Sequence, residues 1–379
     1  MIYITRQKFL AALSIATKAT PAHSTMKILH NVALRHCDKE LHIASTNFRS
    51  TVDLTITEIR DTAIALESTQ VSTAFTNIAV PARFTLDIVK AIPNEVLELN
   101  SNGEQLVIVY GATRARATIK GTDIAEFPVP KKQEPKIKFS MPTEKLLTAL
   151  KHIIITTAGN DGTEVLQGIS ITVQHNQLNL LSCDRYRLSR HTCDIEYEQE
   201  EEQTAVISGD SLRVLLDVLK YTEVATITVT LSDNDIKFVC GDNVVALQLV
   251  DGKYPDIDHI VPAHSAIHIT GPSTELISAI QINELFNPDE ICVELVDAEN
   301  QHEWIISASS QVGDCTSRVP ATADSNMAKV YLNPAYMRSV LEGSTAQGEI
   351  GFNAPTDPIR IDLYPGLVRA VMPMRIHNK

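Results

Sequence analysis

Twelve histidines are scattered from His23 to His377, and six cysteines stand at positions 37, 183, 193, 240, 292 and 315. Metal binding needs such residues at short spacing so that their side chains converge. The chain has neither a C-x-x-C nor an H-E-x-x-H, and no cysteine lies at zinc-finger spacing to histidine. It also lacks the phosphate-cradling G-x-x-x-x-G-K-[ST] and the nucleophile elbow G-x-S-x-G. Two polar clusters remain, Asp184-Arg185-Tyr186 and the acidic run Glu196–Glu202. The first reads as a turn between strands, the second as a solvated loop. No carboxylate pair can be assigned to acid–base work from spacing. A hydrolase on this chain would need a special loop, and Glu196–Glu202, the nearest candidate, is merely acidic. The expectation is therefore no catalytic residue, no metal and no cofactor. The cysteines read as buried or half-buried free thiols in a reducing compartment.

The informative pattern is repetition, which sets where every element must lie. Val80–Lys90, Ile207–Leu216 and Leu332–Leu341 each run from an apolar residue through a Pro, Gly, Ser or Asn turn into a short amphipathic helix. Each helix leads into alternating strands, over Leu97–Tyr110, Ala225–Val239 and Gly348–Leu363. Upstream, Arg6–Leu13, Thr143–Leu150 and Ser273–Ile280 form a second helical triplet, with Leu10/Leu13, Leu147/Leu150 and Ile277/Ile280 in register. Thr143-Glu144 and Ser273–Glu275 read as N-cap regions. Leu41–Asn47, Leu178–Asp184 and, more loosely, Trp304–Ser309 form a third set. The spacing predicts three copies of one α+β domain, each with two helices and about eight strands. Boundaries near Pro128–Lys136 and Pro262–Ala266 give domains over 1–135, 136–265 and 266–379. Three similar domains in one chain point to a closed, pseudo-symmetric assembly.

Net charge is −13, which disfavours a whole-surface polyanion binder. The six helical segments nevertheless carry +3 between them, leaving −16 for the rest. One reading is ordinary solvated helix faces; the other is a basic surface facing a polyanion on an acidic body. No apolar run reaches the roughly 18 residues of a membrane span. Met1–Arg6 alternates like a strand and lacks the parts of a signal peptide. A cytoplasmic protein without a membrane partner is expected.

These residues resemble a known family, the β subunit of bacterial DNA polymerase III, the sliding clamp. The likeness rests on Val371-Met372-Pro373-Met374-Arg375-Ile376, on Asp251–Asp256 leading to Val261-Pro262, on Gly121–Pro128, on Ser182–Leu188 and on the triple repeat. It runs essentially end to end. It implies the DNA clamp fold, with two helices on antiparallel sheets in each of three domains. It also implies a head-to-tail homodimer forming a six-domain ring around duplex DNA, held without reading base sequence.

The resemblance further implies a non-catalytic processivity factor that tethers the polymerase III α subunit, the clamp loader, other polymerases and repair proteins through short linear peptides. Their groove would use Leu166, Cys183, Arg185, Tyr186, Arg187, Leu188, Pro255, His259, Ile260, Ala370, Met372, Pro373, Met374 and Arg375. Leu, Ile, Met and Pro suit apolar anchors, and methionine adapts to varied peptides. Arg187 and Arg375 are expected to orient polar groups or carboxylates of the peptide. The DNA-facing residues would be Arg6, Lys8, Lys18, His23, Arg83, Lys90, Lys145, Lys151, Arg213, Lys220 and Arg338. The ring interface would bring Ala117 and Ile119 against Leu285 and Phe286 of a second chain; the rival reading places Leu285-Phe286 in their own core.

The chain departs from the family at several of these positions. Arg185 and Tyr186 replace the usual glycine and histidine, His259 an arginine, Ala370 a larger aliphatic residue and Ala117 a frequent aromatic. His23 stands where a DNA-touching arginine is usual, and the third domain's first helix has no basic residue. The bulk of Arg185 and Tyr186 implies a narrower peptide channel. The alternative reading they motivate is a divergent clamp paralogue with restricted partners.

Overall fold

The computed structural model describes residues 1–57, 59, 75–128, 134–159, 162–197, 202–298, 301–343 and 347–375. Most of the acidic run, residues 198–201, lies outside the described residues, as do 129–133 of the first predicted boundary and Ile376.

One element order occurs three times. The first repeat is β1 (Ile2–Thr5), α1 (Arg6–Lys18), β2 (Asn31–Cys37), β3 (Glu40–Thr46), β4 (Ser50–Ile56), β5 (Ile78–Pro81), α2 (Ala82–Ala91), β6 (Val96–Ser101), β7 (Gln105–Tyr110) and β8 (Ala115–Lys120). The second is β9 (Ile137–Pro142), α3 (Thr143–Ile153), β10 (Gly168–Gln174), β11 (Gln177–Cys183), β12 (Arg187–Asp194), β13 (Gln203–Ser208), α4 (Gly209–Tyr221), β14 (Thr226–Leu231), β15 (Asp235–Cys240) and β16 (Asn243–Gln248). The third is β17 (Ile267–Pro272), α5 (Ser273–Phe286), β18 (Ile291–Ala298), β19 (Gln301–Ser310), β20 (Gly313–Ala323), β21 (Met327–Leu332), α6 (Pro334–Leu341), β22 (Gln347–Phe352), β23 (Ile359–Tyr364) and β24 (Leu367–Val371). The fold is the expected α+β arrangement, three repeats with helices on antiparallel sheets.

Helix faces follow their apolar spacing. α2 buries Ala82, Thr85, Leu86 and Val89, the i, i+3, i+4, i+7 stripe that one face of a 3.6-residue helix presents. α6 starts on Asn333, whose side chain accepts from the Tyr336 N–H, with Pro334 in the first turn where its missing donor costs nothing. The register pairs are only half right as core positions. Leu13, Leu150 and Ile280 are buried, whereas Leu10, Leu147 and Ile277 are half-exposed at the stripe's margin. The capping expectation at Ser273 fails: α5 begins with Ser273 itself, and its cap is Pro272, which makes no side-chain cap bond. The preceding strand β17 runs straight into the helix and fixes its entry without a side-chain cap. Thr143 is likewise the first residue of α3 rather than its cap.

Strands alternate as half-buried strands must: β15 buries Ile236, Phe238 and Cys240 and turns Asp235, Lys237 and Val239 outward. Three of the six free cysteines, Cys183, Cys193 and Cys240, are buried and two are half-buried, but Cys37, the last residue of β2, is exposed.

The contacts divide the chain into two units. One comprises Met1–Leu147 with Asp210–Leu249, the other Thr148–Gly209 with Val250–Lys379. The first unit holds a four-stranded sheet, β1-β6-β7-β8, and an eight-stranded one, β5-β2-β3-β4-β16-β15-β14-β9. The second holds a twelve-stranded sheet, β13-β10-β11-β12-β24-β23-β22-β17-β20-β19-β18-β21. Successive repeats are thus joined by strand pairing, β4 on β16 in one unit and β12 on β24 in the other.

Candidate peptide groove and basic helix faces

The second unit collects residues from far apart into one apolar cluster. Leu166, Cys183, Leu188, Val206, Tyr254, Ile257, Val261 and Ala370 are buried together, with Ile260 and Val368 packed partly against them. The ladder between β12 and β24 is what brings Ala370 opposite Leu188. Five predicted groove residues, Leu166, Cys183, Leu188, Ile260 and Ala370, therefore share one apolar floor. Val206, Tyr254, Ile257 and Val261 belong to it as well and were not among the expected groove residues. Tyr254 had a signal, since it sits inside the Asp251–Asp256 stretch. Its hydroxyl accepts the Cys183 N–H at 2.9 Å, and burial pushes its pKa up. Burial also raises the Cys183 thiol, which keeps it protonated and apolar in character.

One rim is the turn from Asp184 to Arg187. Arg185 takes the left-handed conformation, φ 78°. Asp184 Oδ1 accepts the N–H groups of Tyr186 and Arg187, which closes the turn. Arg187 is not available to a peptide, contrary to expectation. Its Nε and Nη2 donate to Asp184 Oδ2 at 2.9 and 2.6 Å, its Nη1 donates to Ser339 Oγ at 2.6 Å, and its guanidinium lies 4.6 Å over the Tyr336 ring. A planar fork with all three edges engaged holds the turn against α6 instead. Tyr186 stacks on Tyr336 with ring centroids 5.3 Å apart and stays 54% exposed.

The tail continues from β24 along this rim. The Met372 N–H donates to the Tyr186 carbonyl and the Met374 N–H to the Tyr331 carbonyl, both at 2.8 Å. Every second residue is thereby fixed to the backbone, while Met374 and Arg375 are exposed and Met372 and Pro373 half-buried. Pro255 and His259 are exposed, and His259 Nδ1 lies 4.0 Å from Asp256. Exposed Arg185 and Arg375 remain as cations able to meet a peptide.

The basic helix residues divide by partner. In the first unit Lys18 pairs with Asp217 at 2.6 Å and Arg213 with Asp210 at 2.9 Å. Arg6 turns to the Val89 and Lys90 carbonyls at the end of α2. In the second unit Arg338 is held between Glu284 and Glu342. Lys18, Arg213 and Arg338 are thus largely neutralised at the positions expected to face DNA, because acids one helix or one turn away claim them. Exposed Arg83, Lys90, Lys151 and Lys220 make no ion pair among the described residues, and Lys145 and His23 are also exposed. Lys8 is half-buried on α1.

At the expected ring contact, Ile119 is buried in its own sheet and Ala117 half-buried. Leu285 is 82% exposed, which removes it from its own core; Phe286 packs partly against the core of the third repeat. Among the described residues no group of three or more His, Cys, Asp and Glu side chains could hold a metal ion, and no helix is long and apolar enough to cross a membrane.

Two sequence families match this chain: "DNA polymerase III beta subunit, N-terminal domain" over residues 1–131 and "DNA polymerase III beta subunit, central domain" over residues 140–256. The chain belongs to the DNA polymerase III beta subunit family. Among curated beta sliding clamps it is 23% identical to that of Bacillus subtilis over 309 residues, covering 79% of this chain and 81% of that one. It is 22% identical to that of Staphylococcus aureus over 344 residues, covering 89% of each. Its fold matches the beta subunit of Thermotoga maritima with a TM-score of 0.86 at 23% identity, over 99% of both chains. A Pseudomonas aeruginosa sliding clamp solved with bound griselimycin matches with a TM-score of 0.87 at 20% identity, again over 99% of both. At these identities the beta-subunit fold is shared while the groove chemistry must be read from this chain's own side chains.

Proposed function

We infer that this chain is a DNA sliding clamp, a non-catalytic subunit that encircles duplex DNA and tethers the replicative polymerase and other replication and repair proteins. The observation that carries the reading is the family match over residues 1–131 and 140–256 within a clamp fold that spans 99% of the chain. Two chains, each with domains over 1–135, 136–265 and 266–379, assemble head to tail into a ring in the cytoplasm. Helix cations hold the phosphates at long range and without base contacts, so the ring slides. Retention comes from topology, and strong local affinity is unnecessary. The polymerase α subunit, the clamp loader and other partners dock short peptides on the cluster around Leu166, Cys183, Leu188 and Ala370. Met372 and Met374 shape the peptide's apolar anchors, Arg185 and Arg375 meet its polar groups, and the Tyr186–Tyr336 stack sets which peptides fit.

The test is retention on circular DNA. Assembled on a nicked plasmid by a clamp loader and gel-filtered in high salt, the protein stays with the circle and is released when the plasmid is cut to a linear form. Equal loss from circular and linear DNA would contradict encirclement.

A further inference from the structure

Three sulfur atoms stand in the peptide groove, and they differ in what an oxidant can do to them. Cys183 lies in the floor, 8% exposed, and the Arg185 N–H donates to its Sγ at 3.2 Å. Burial pushes its thiol pKa up, and a thiol must ionise before it attacks a peroxide. Met372 and Met374 stand on the rim, the first half-buried and the second 38% exposed. A thioether carries its reactive lone pair without losing a proton, so access decides its reaction.

Other methionines calibrate that access. Met141, Met327 and Met337 are 2%, 3% and 2% exposed in their cores, whereas Met26, between α1 and β2, is 48% exposed. Met374 is thus comparable to Met26 in its reach of solvent, but its surroundings differ. The Met372 and Met374 N–H groups donate to the Tyr186 and Tyr331 carbonyls, so the backbone keeps both side chains at the rim whatever the state of the sulfur. The floor residues Leu188 and Ala370 are apolar and offer no side-chain donor.

We propose that the Met372 and Met374 thioethers are a modification site whose oxidation to sulfoxide switches peptide docking off. What docks there rests on the clamp reading. The co-reactant is a peroxide. Each sulfur gives an electron pair to one peroxide oxygen, the O–O bond breaks, an S–O bond forms, and the other oxygen takes up the protons and leaves as water. Sulfur is oxidised by two electrons and the peroxide is reduced by two. The apolar rim then carries a strong acceptor, and seating an apolar anchor strips its water without supplying a donor. A bound peptide covers the same sulfurs, so docking and oxidation oppose one another. Methionine sulfoxide reductases reverse the change, which makes it a switch rather than damage.

In the test, full-length protein is treated with hydrogen peroxide until Met26 is converted, quenched with catalase, and reduced with dithiothreitol to restore any oxidised thiol. Mass mapping should find one added oxygen on Met372 and on Met374, and none on Met141, Met327 or Met337. Fluorescence anisotropy with a short Gln-Leu-x-Leu-Phe-type peptide should show the dissociation constant raised about tenfold or more, and methionine sulfoxide reductases should restore it. Saturating peptide during the treatment should spare Met372 and Met374 but not Met26. In Met372→Leu with Met374→Leu, the dissociation constant should be the same before and after peroxide. Unoxidised Met372 and Met374 beside converted Met26, unchanged affinity of the double sulfoxide, or an equal loss in the leucine variant would overturn the switch and leave the clamp reading standing. Untreated folded protein that binds none of the peptide would overturn both.

Discussion

Arg369 Nη2 donates to His152 Nδ1 across 3.1 Å, joining strand β24 of the third repeat to helix α3 of the second. Arg369 is fully buried, yet among the described residues no carboxylate forms an ion pair with its guanidinium. Its Nη1 donates instead to the carbonyls of Ser339, Val340 and Glu342 at the end of α6, and its Nη2 also to the His152 carbonyl. The negative end of the helix dipole thus stands in for a counter-ion. Burial still lowers the Arg369 pKa to about 10. Replacing Arg369 by Met would leave these carbonyls and His152 without their donor inside the protein. Urea unfolding should show a loss of about 3 kcal/mol, within the usual cost of orphaned buried polar groups. An unchanged midpoint would mean the carbonyls find other donors.

The same contact makes stability depend on acid. His152 must be neutral to accept from Arg369. Burial, followed by the Arg369, His191 and Lys151 charges, lowers its pKa from 6.5 to about 4. The unfolded chain therefore binds a proton that the folded chain refuses between those values. The stabilisation is complete above about pH 6.5 and is lost as pH falls toward about 4. Urea midpoints across that window should fall with pH, and His152→Asn, whose amide oxygen can accept without titrating, should flatten the slope. Equal slopes in both proteins would remove His152 as the cause.

Met372→Ala with Met374→Ala should weaken peptide binding by about tenfold, near 1.4 kcal/mol. The N–H bonds to the Tyr186 and Tyr331 carbonyls belong to the backbone and survive the substitution, so thermal stability should barely change. Undiminished binding, read by fluorescence anisotropy, would place the anchors elsewhere in the cluster.

Charge reversal should discriminate among the helix cations. Arg83→Glu with Lys145→Glu should sharply reduce loading onto circular DNA, because both side chains are exposed on helix first turns. Lys18→Glu should act differently, setting a like charge beside Asp217 and costing stability as well as charge. Filter binding over a salt series should show a shallower slope for the Arg83/Lys145 variant, as phosphate contacts are lost. Identical loading and slope would mean these residues do not face the duplex.

The sequence carried what is local and repeated. Helix stripes such as Ala82, Thr85, Leu86 and Val89, and strand alternation such as that of β15, need only a few residues to be recognised. Pairings between distant segments left no such trace. Asp217, which neutralises Lys18, is 199 residues away, and nothing near Arg187 announces Ser339 or Tyr336. The cluster around Leu166 was half legible for the same reason. Cys183 and Leu188 flank one turn, but Ala370 and Val206 join them only through ladders on β12 and β10. Resemblance supplied the groove, whereas the engagement of Arg187 by Asp184 and of Tyr186 by Tyr336 came from the folded chain.

Peptide binding at this groove is measured by a fluorescence-anisotropy titration with a short Gln-Leu-x-Leu-Phe-type peptide, run beside the Met372→Ala variant. Saturable binding near the micromolar range, about −8 kcal/mol, weakened in the variant, is the expected result. A folded wild-type protein that binds none of the peptide would contradict a working clamp groove at Cys183, Leu188 and Ala370.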